Sequence, residues 1–377
     1  MKHLKWFFVM TLLFLLTFPT AAQLEDYTVR TIPVNSMAAR FEMTSDGHLL
    51  AMHEVSQIYQ LEVGDAIDPS LLGVRVYDLD AGELLYELSG PPDFPSQIAF
   101  NDDGSILAGY YEVGWLYLWD MADGSVRSRI PTSPGLGTLT FLPGTTLLAQ
   151  SSTGYQLPMV LVYDTETGHI VSTVLNRFTS MAVYREFIDS RMAMPITLLN
   201  MHPLADGETI IAATSFDEVL RWNLTTGEQL TLVGSPDSRP NFGITGMALT
   251  TDEQTAVALN SQQDTITRID LAASQVQETV EFGEVPLLGM GALLDDNTLA
   301  YMTGERGAEV INVAPLSDLK AAAQFDLRTL VDLPEELVVQ LRITDLAASS
   351  DGNRLVLAGF FYRGDNPEDN RIVVLDR

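Results

Sequence analysis

The strongest constraint on this chain is internal repetition. One pattern recurs seven times: an apolar run, an Asp-Gly-type turn, an apolar run often ending in Ala, an alternating run ending aromatic-Asp, and a Gly turn. The fullest copy spans Ala205 to Leu232, with Asp206-Gly207, Ile210-Ile211-Ala212, Ser215-Phe216-Asp217, Leu220-Arg221-Trp222-Asn223 and Thr226-Gly227. Asp103-Gly104, Ile106-Leu107-Ala108, Leu118-Trp119-Asp120 and Asp123-Gly124 make another copy. The first copy carries Asp46-Gly47, Ala51, Tyr77-Asp78 and Gly82, and the third carries Pro143-Gly144, Ala149, Tyr163-Asp164 and Gly168. The fifth and sixth copies are worn, keeping Asp252-Glu253, Ala258 and Ile269-Asp270, then Asp296-Asn297, Ala300 and Asn312. The seventh returns to form with Asp351-Gly352, Leu355-Val356-Leu357 and Leu375-Asp376.

Each element has a physical reason. Asp-Gly suits a tight reversal between antiparallel strands, because Gly accepts positive φ without steric cost. Short apolar runs bounded by turns fit central strands buried on both faces. A closing Ala leaves room for a neighbouring sheet, the Trp or Tyr covers the gap between sheets, and the Asp or Asn holds the turn that follows. Many short strands at regular spacing argue for radial repetition.

These units resemble WD repeats, the four-stranded blades of β-propellers, over residues 25 to 377. The resemblance implies an all-β, seven-bladed propeller forming a single domain from residue 23 onward, of a divergent, bacterial-type, secreted kind. The family's Gly-His pair before each blade is replaced by Gly90-Pro91, Ser133-Pro134 and Gly234-Ser235-Pro236, which removes the basis for its His-centred network. The seventh copy ends at Arg377 without a last strand, while Tyr27 to Val34 is strand-like and unassigned. The N-terminal piece is therefore expected to complete the last blade and close the ring.

Residues 1–22 read as a secretory signal: Lys2 and Lys5, an apolar run from Trp6 to Phe18, then Thr20-Ala21-Ala22. The run is short of the roughly 20 residues a spanning helix needs, so cleavage and a secreted or periplasmic location are expected, with no stable membrane insertion afterwards. The net charge of −29 repels nucleic acid and anionic membranes. The absence of Cys removes disulfides, thiolate catalysis and Cys-ligated metal.

Four long connections stand out: His53 to Leu72, Arg177 to Pro195, Leu330 to Gln340, and Tyr362 to Asn370. In WD-type blades all four fall on one face, opposite the Asp-Gly turns, and long loops on one rim are where function gathers. The second carries Arg177, Phe178, Tyr184, Arg185, Phe187 and Arg191, and the fourth begins Tyr362-Arg363. Arg beside aromatics suits recognition of a protein or peptide. Acidic clusters at Asn101 to Asp103 and Asp295 to Asn297 are expected to be turns, whereas Asp365 to Asn370 is a loop of free composition with a calcium alternative. Asn223 matches a glycosylation acceptor but occupies the structural Asp position. The remaining histidines, His48, His53, His169 and His202, are scattered, and no nucleophile elbow, P-loop or dinucleotide fingerprint occurs. No catalytic residue, cofactor or metal is therefore assigned, and the expected function is a binding scaffold. The alternative is a propeller hydrolase or lactonase with a metal at the central channel.

Overall fold

The computed structural model describes residues 27–34, 37–55, 72–91, 95–135, 137–152, 159–175, 198–234, 243–283, 285–305, 308–326, 341–361 and 371–377. These form seven four-stranded antiparallel sheets, the seven blades expected from the repeats. In six of them the strands pair in sequence order; in the seventh, Thr28–Pro33 supplies the fourth strand, against Arg371–Asp376. The register runs Thr28 opposite Asp376 to Pro33 opposite Arg371. Ring closure by the N-terminal strand is thus as the sequence led us to expect.

The first strands of successive blades lie against one another all the way round and wall a central channel. They are Met37–Met43, Pro95–Phe100, Leu139–Phe141, Leu198–Pro203, Ile244–Leu249, Leu287–Asp295 and Leu341–Ala348. Second strands such as Ile106–Tyr111 and Thr209–Thr214 are buried at every position, as doubly covered strands should be. In fourth strands such as Val126–Pro131, exposed residues alternate with partly covered ones and Ile130 is buried, because only one face meets a neighbour.

The core is divided into seven clusters, one at each junction between blades. Trp119 packs with Ala51, Val74, Val76 and Leu88 of blade 1, and Trp222 with Ala149, Val160, Val162 and Val174 of blade 3. Each aromatic before Asp therefore covers the preceding blade. The Ala that ends the second-strand motif is buried at residues 51, 108, 149, 212, 258 and 300.

Turn chemistry follows the sequence. Gly47, Gly104, Gly144, Gly207 and Gly352 have φ between 67° and 74°, where a Cβ would be strained. The Asp78 carboxylate accepts the N–H groups of Asp80 and Ala81 at 2.8 and 2.9 Å. Asn223 does the same for Thr225 and Thr226, which gives its side chain a structural task. The acidic clusters are turns as well: Asp103 accepts from Ser105 N and Asp295 from Asn297 N. Their neighbours reach the turns of adjacent blades: Asp102 accepts from Gly144 N of blade 3 and Asp296 from Thr251 N of blade 5. The loop from Asp365 to Asn370 lies outside the described residues.

One expectation needs correction. His53 does not begin the first long connection; the strand Leu49–Val55 continues through it, and its side chain is buried. His202 lies near the end of the inner strand Leu198–Pro203, facing the channel.

Candidate functional site

All the residues singled out for binding, Arg177, Phe178, Tyr184, Arg185, Phe187, Arg191, Tyr362 and Arg363, lie outside the described residues. What the fold does fix is where their segments depart. The connections leave after Val55, Leu175, Asp326 and Phe361 and return at Leu72, Leu198, Leu341 and Arg371. Each joins a second strand to a third, or a fourth strand to the next blade's first. In antiparallel blades those junctions share one rim, opposite the Asp-Gly turns.

The channel between the two rims is a cavity of about 610 Å³. Its lining includes Glu42 of blade 1, Gln97 of blade 2, Asn200 and His202 of blade 4, and Asp345 of blade 7. Apolar wall comes from Met247, Leu288, Met290 and Leu346. In blade 6 the ladder is irregular between Leu287 and Gly291, and Gly289 there has φ 72°. This bulge places Leu288 and Met290 on the wall, as bulges re-aim side chains beside cavities.

The inner strands are tied across blades by polar side chains. Asn200 donates to the carbonyl of Thr245 at 3.1 Å, and the Thr245 hydroxyl donates to that of Gly289 at 3.3 Å. Burial, reinforced by the Asp345 carboxylate, pushes the Glu42 pKa up to about 8. Burial lowers that of His202 to about 4, against the opposing effect of a hydrogen bond to the Met247 backbone. Both groups thus favour their neutral forms near pH 7.

Sequence reasoning missed Glu42, His202 and Asp345 as a set. Each is a polar residue in a strand that mixes polar and apolar residues, and they come from three different blades. The only signal was position: all three lie in first strands of the repeat, the ones that wall the channel. Among the described residues no three His, Asp or Glu side chains could hold a metal ion, so no hydrolytic step is derived through one.

The missing His network has a substitute. The Tyr110 hydroxyl donates to the carbonyls of Ser133 and Gly135 in the segment leading into blade 3, at 2.9 and 2.6 Å. Trp119 Nε1 donates to the carbonyl of Ser89 at 2.9 Å, and the Tyr301 hydroxyl to that of Leu319 at 2.8 Å. Core aromatics therefore hold the segments that leave the fourth strands of blades 1 and 2 and the link between the third and fourth strands of blade 6.

This arrangement can be set beside known proteins. The structure of U3-55K superposes with a TM-score of 0.65 at 14% identity, covering 93% of this chain and 98% of that one. The fold is that of a WD40 β-propeller. The RRP9 WD40 repeats give a TM-score of 0.64 at 14% identity, over 92% of this chain and 97% of that one. The β-propeller domain of Cps50 (Swd1) from Myceliophteria thermophila gives 0.63 at 14% identity, over 93% and 99%. No family model matches the sequence, and no curated protein matches it. At that identity the WD40 likeness is one of fold, and function has to be argued from sites.

Proposed function

We propose that this WD40-type propeller is an exported scaffold that holds a protein or peptide partner on the rim bearing its long connections. The observation that carries the reading is the strand order, which sends all four of those connections out from one rim. The second brings three Arg and three aromatic residues, Arg177, Phe178, Tyr184, Arg185, Phe187 and Arg191, and the fourth adds Tyr362 and Arg363. Such residues give large contact area and directed hydrogen bonds. They also offer positive charge on a chain of net charge −29, which disfavours nucleic acid as the partner. The leader ending at Ala22 sends the protein out of the cytoplasm, and N-terminal mass analysis of the mature protein is expected to begin at Gln23.

The test compares two variants by cross-linked capture of a partner from the source organism and by unfolding in urea. The double substitution Tyr184→Ala, Arg185→Ala is expected to abolish capture and leave the unfolding midpoint unchanged. Trp222→Ala is expected to cost about 3–5 kcal/mol, as loss of a buried aromatic does. Equal destabilisation by both would show the 177–191 segment to be part of the core and would end its candidacy as a recognition element.

A further inference from the structure

The channel carries chemistry that the rim reading does not use. Glu42 and Asp345 line the same space from the inner strands of blades 1 and 7, which are neighbours in the ring. Glu42 has neither a hydrogen-bond nor an ion-pair partner among the described residues. The groups around it are quickly named. Its own blade's second strand sets Ala51 opposite it and carries His53 two residues on. Blade 2 offers the neutral Gln97, and blade 4 places His202 on the channel wall. Asp295 and Asp296 stand at the mouth on the Asp-Gly side. His202 is the one basic side chain among the described lining residues, and its depressed pKa of about 4 leaves it uncharged at neutral pH.

A confined carboxylate without a partner is costly, and it is relieved either by a proton or by a cation. A bound calcium ion wants six to eight oxygens and zinc about four ligands, yet among the described residues no three His, Asp or Glu side chains converge here. An organic cation asks less. One or two carboxylates can take its charged head while apolar wall takes its stem. Met247, Leu288, Met290 and Leu346 supply such wall, and the volume of about 610 Å³ lies within the range of small-ligand sites.

We propose that the channel binds an alkylammonium group, with Glu42 and Asp345 taking the head and Met247, Leu288 and Met290 the methylene stem. The group can belong to a free diamine or to a lysine side chain of the partner; only the second source rests on the scaffold reading above. Binding draws a proton from Glu42, so below a pKa of about 8 affinity falls about tenfold for each pH unit, while the amine, with a pKa near 10, stays charged.

The test is calorimetric titration of the full chain at several pH values, with 1,5-diaminopentane and, separately, a short acetylated lysine peptide. Saturable diamine binding is expected, strengthening about tenfold from around pH 6.5 to 7.5 and weakening at least about tenfold in Glu42→Gln and Asp345→Asn. Release of about one proton per ligand, measured on the unaltered protein in two buffers of different ionisation enthalpy, checks the same point without a variant. Competition between peptide and diamine identifies the partner's lysine as the source; diamine binding without peptide binding identifies the free amine. Absence of binding by both probes, a diamine affinity in either variant equal to the parent's, or displacement of the diamine by stoichiometric calcium overturns the proposal. The Tyr184→Ala, Arg185→Ala variant keeps its diamine affinity, so failure at the rim and failure in the channel are told apart.

Discussion

Asp217 and Asp264 show how much one side chain can do in this fold. Both sit at positive φ, 57° and 52°, in turns between second and third strands. Asp217 accepts the N–H groups of Gly243 and Ile244 at 2.8 and 3.2 Å, and Asp264 accepts that of Leu287 at 2.9 Å. Each therefore pins the start of the next blade's inner strand. Asp tolerates the left-handed region better than most residues. Replacing Asp217 with Ala leaves two N–H groups without their acceptor and is expected to cost about 1–3 kcal/mol in urea unfolding. Asp217→Asn keeps the acceptor oxygen and is expected to lie close to the parent. A second prediction concerns pH. His53 and His202 resist protonation in the fold until about pH 4, whereas in the unfolded chain they take up protons below about pH 6.5. Stability should therefore fall as pH drops from about 6.5 to 4. Glu42 works in the opposite sense: protonated in the fold up to about pH 8, it ionises above about 4.3 when unfolded, so stability falls as pH rises through that window. Unfolding midpoints across pH should show Glu42→Gln gaining on the parent from about pH 5 to 8 and holding a constant lead above it.

Among the elements, the closing strand Thr28–Pro33 decides whether the ring is shut. Ile32 joins the core between blades 7 and 1, with Val34 just beyond the strand, and there they meet Tyr77, Val356 and Ile372. Its polar side joins a chain of ion pairs: Arg30 to Asp376 at 2.6 Å, Arg354 to Asp376 at 2.5 Å and Arg354 to Asp80 at 2.9 Å, with His48 against Asp80. The Arg354 hydrogen bond, with smaller help from His48, holds the Asp80 carboxyl below its usual pKa against a small cost of burial. Arg30 and Asp376 keep nearly a third of their side-chain surface in water, where a pair contributes only about 0–1 kcal/mol. Ile32→Ala is expected to cost about 2–5 kcal/mol, far more than Arg30→Ala, and paired urea titrations decide between them. This strand was legible in the sequence because Tyr27 to Val34 lacked a blade and the last blade lacked a strand. The bulge at Leu288 to Met290 was not, since a Gly in an apolar run does not announce its φ before the neighbouring strands are in place.

At the scale of the whole molecule, every core cluster belongs to two blades. A single blade has no apolar interior of its own, so no blade can be stable while its neighbours are unfolded. Closure by Thr28–Pro33 removes the free end from which such a stack would fray. We expect one unfolding transition, coincident by far-ultraviolet circular dichroism and by the fluorescence of buried Trp119 and Trp222. Separate transitions by the two probes would count against the ring as one cooperative unit.

Repetition alone determined the blade count, the Asp-Gly turns, the inter-blade aromatics and the strand that closes the ring. Those features are local or periodic: a turn dictates its Gly, a doubly buried strand its apolar run, and a tight sheet junction its Ala. The channel was decided only by tertiary structure. Glu42 and Asp345 are some 300 residues apart in the chain, yet ring closure makes their strands neighbours, and His202 joins them from blade 4. Nothing in the local sequence of any one strand encodes that meeting, because it depends on how many sheets close the circle and on which side chains their pleats turn inward.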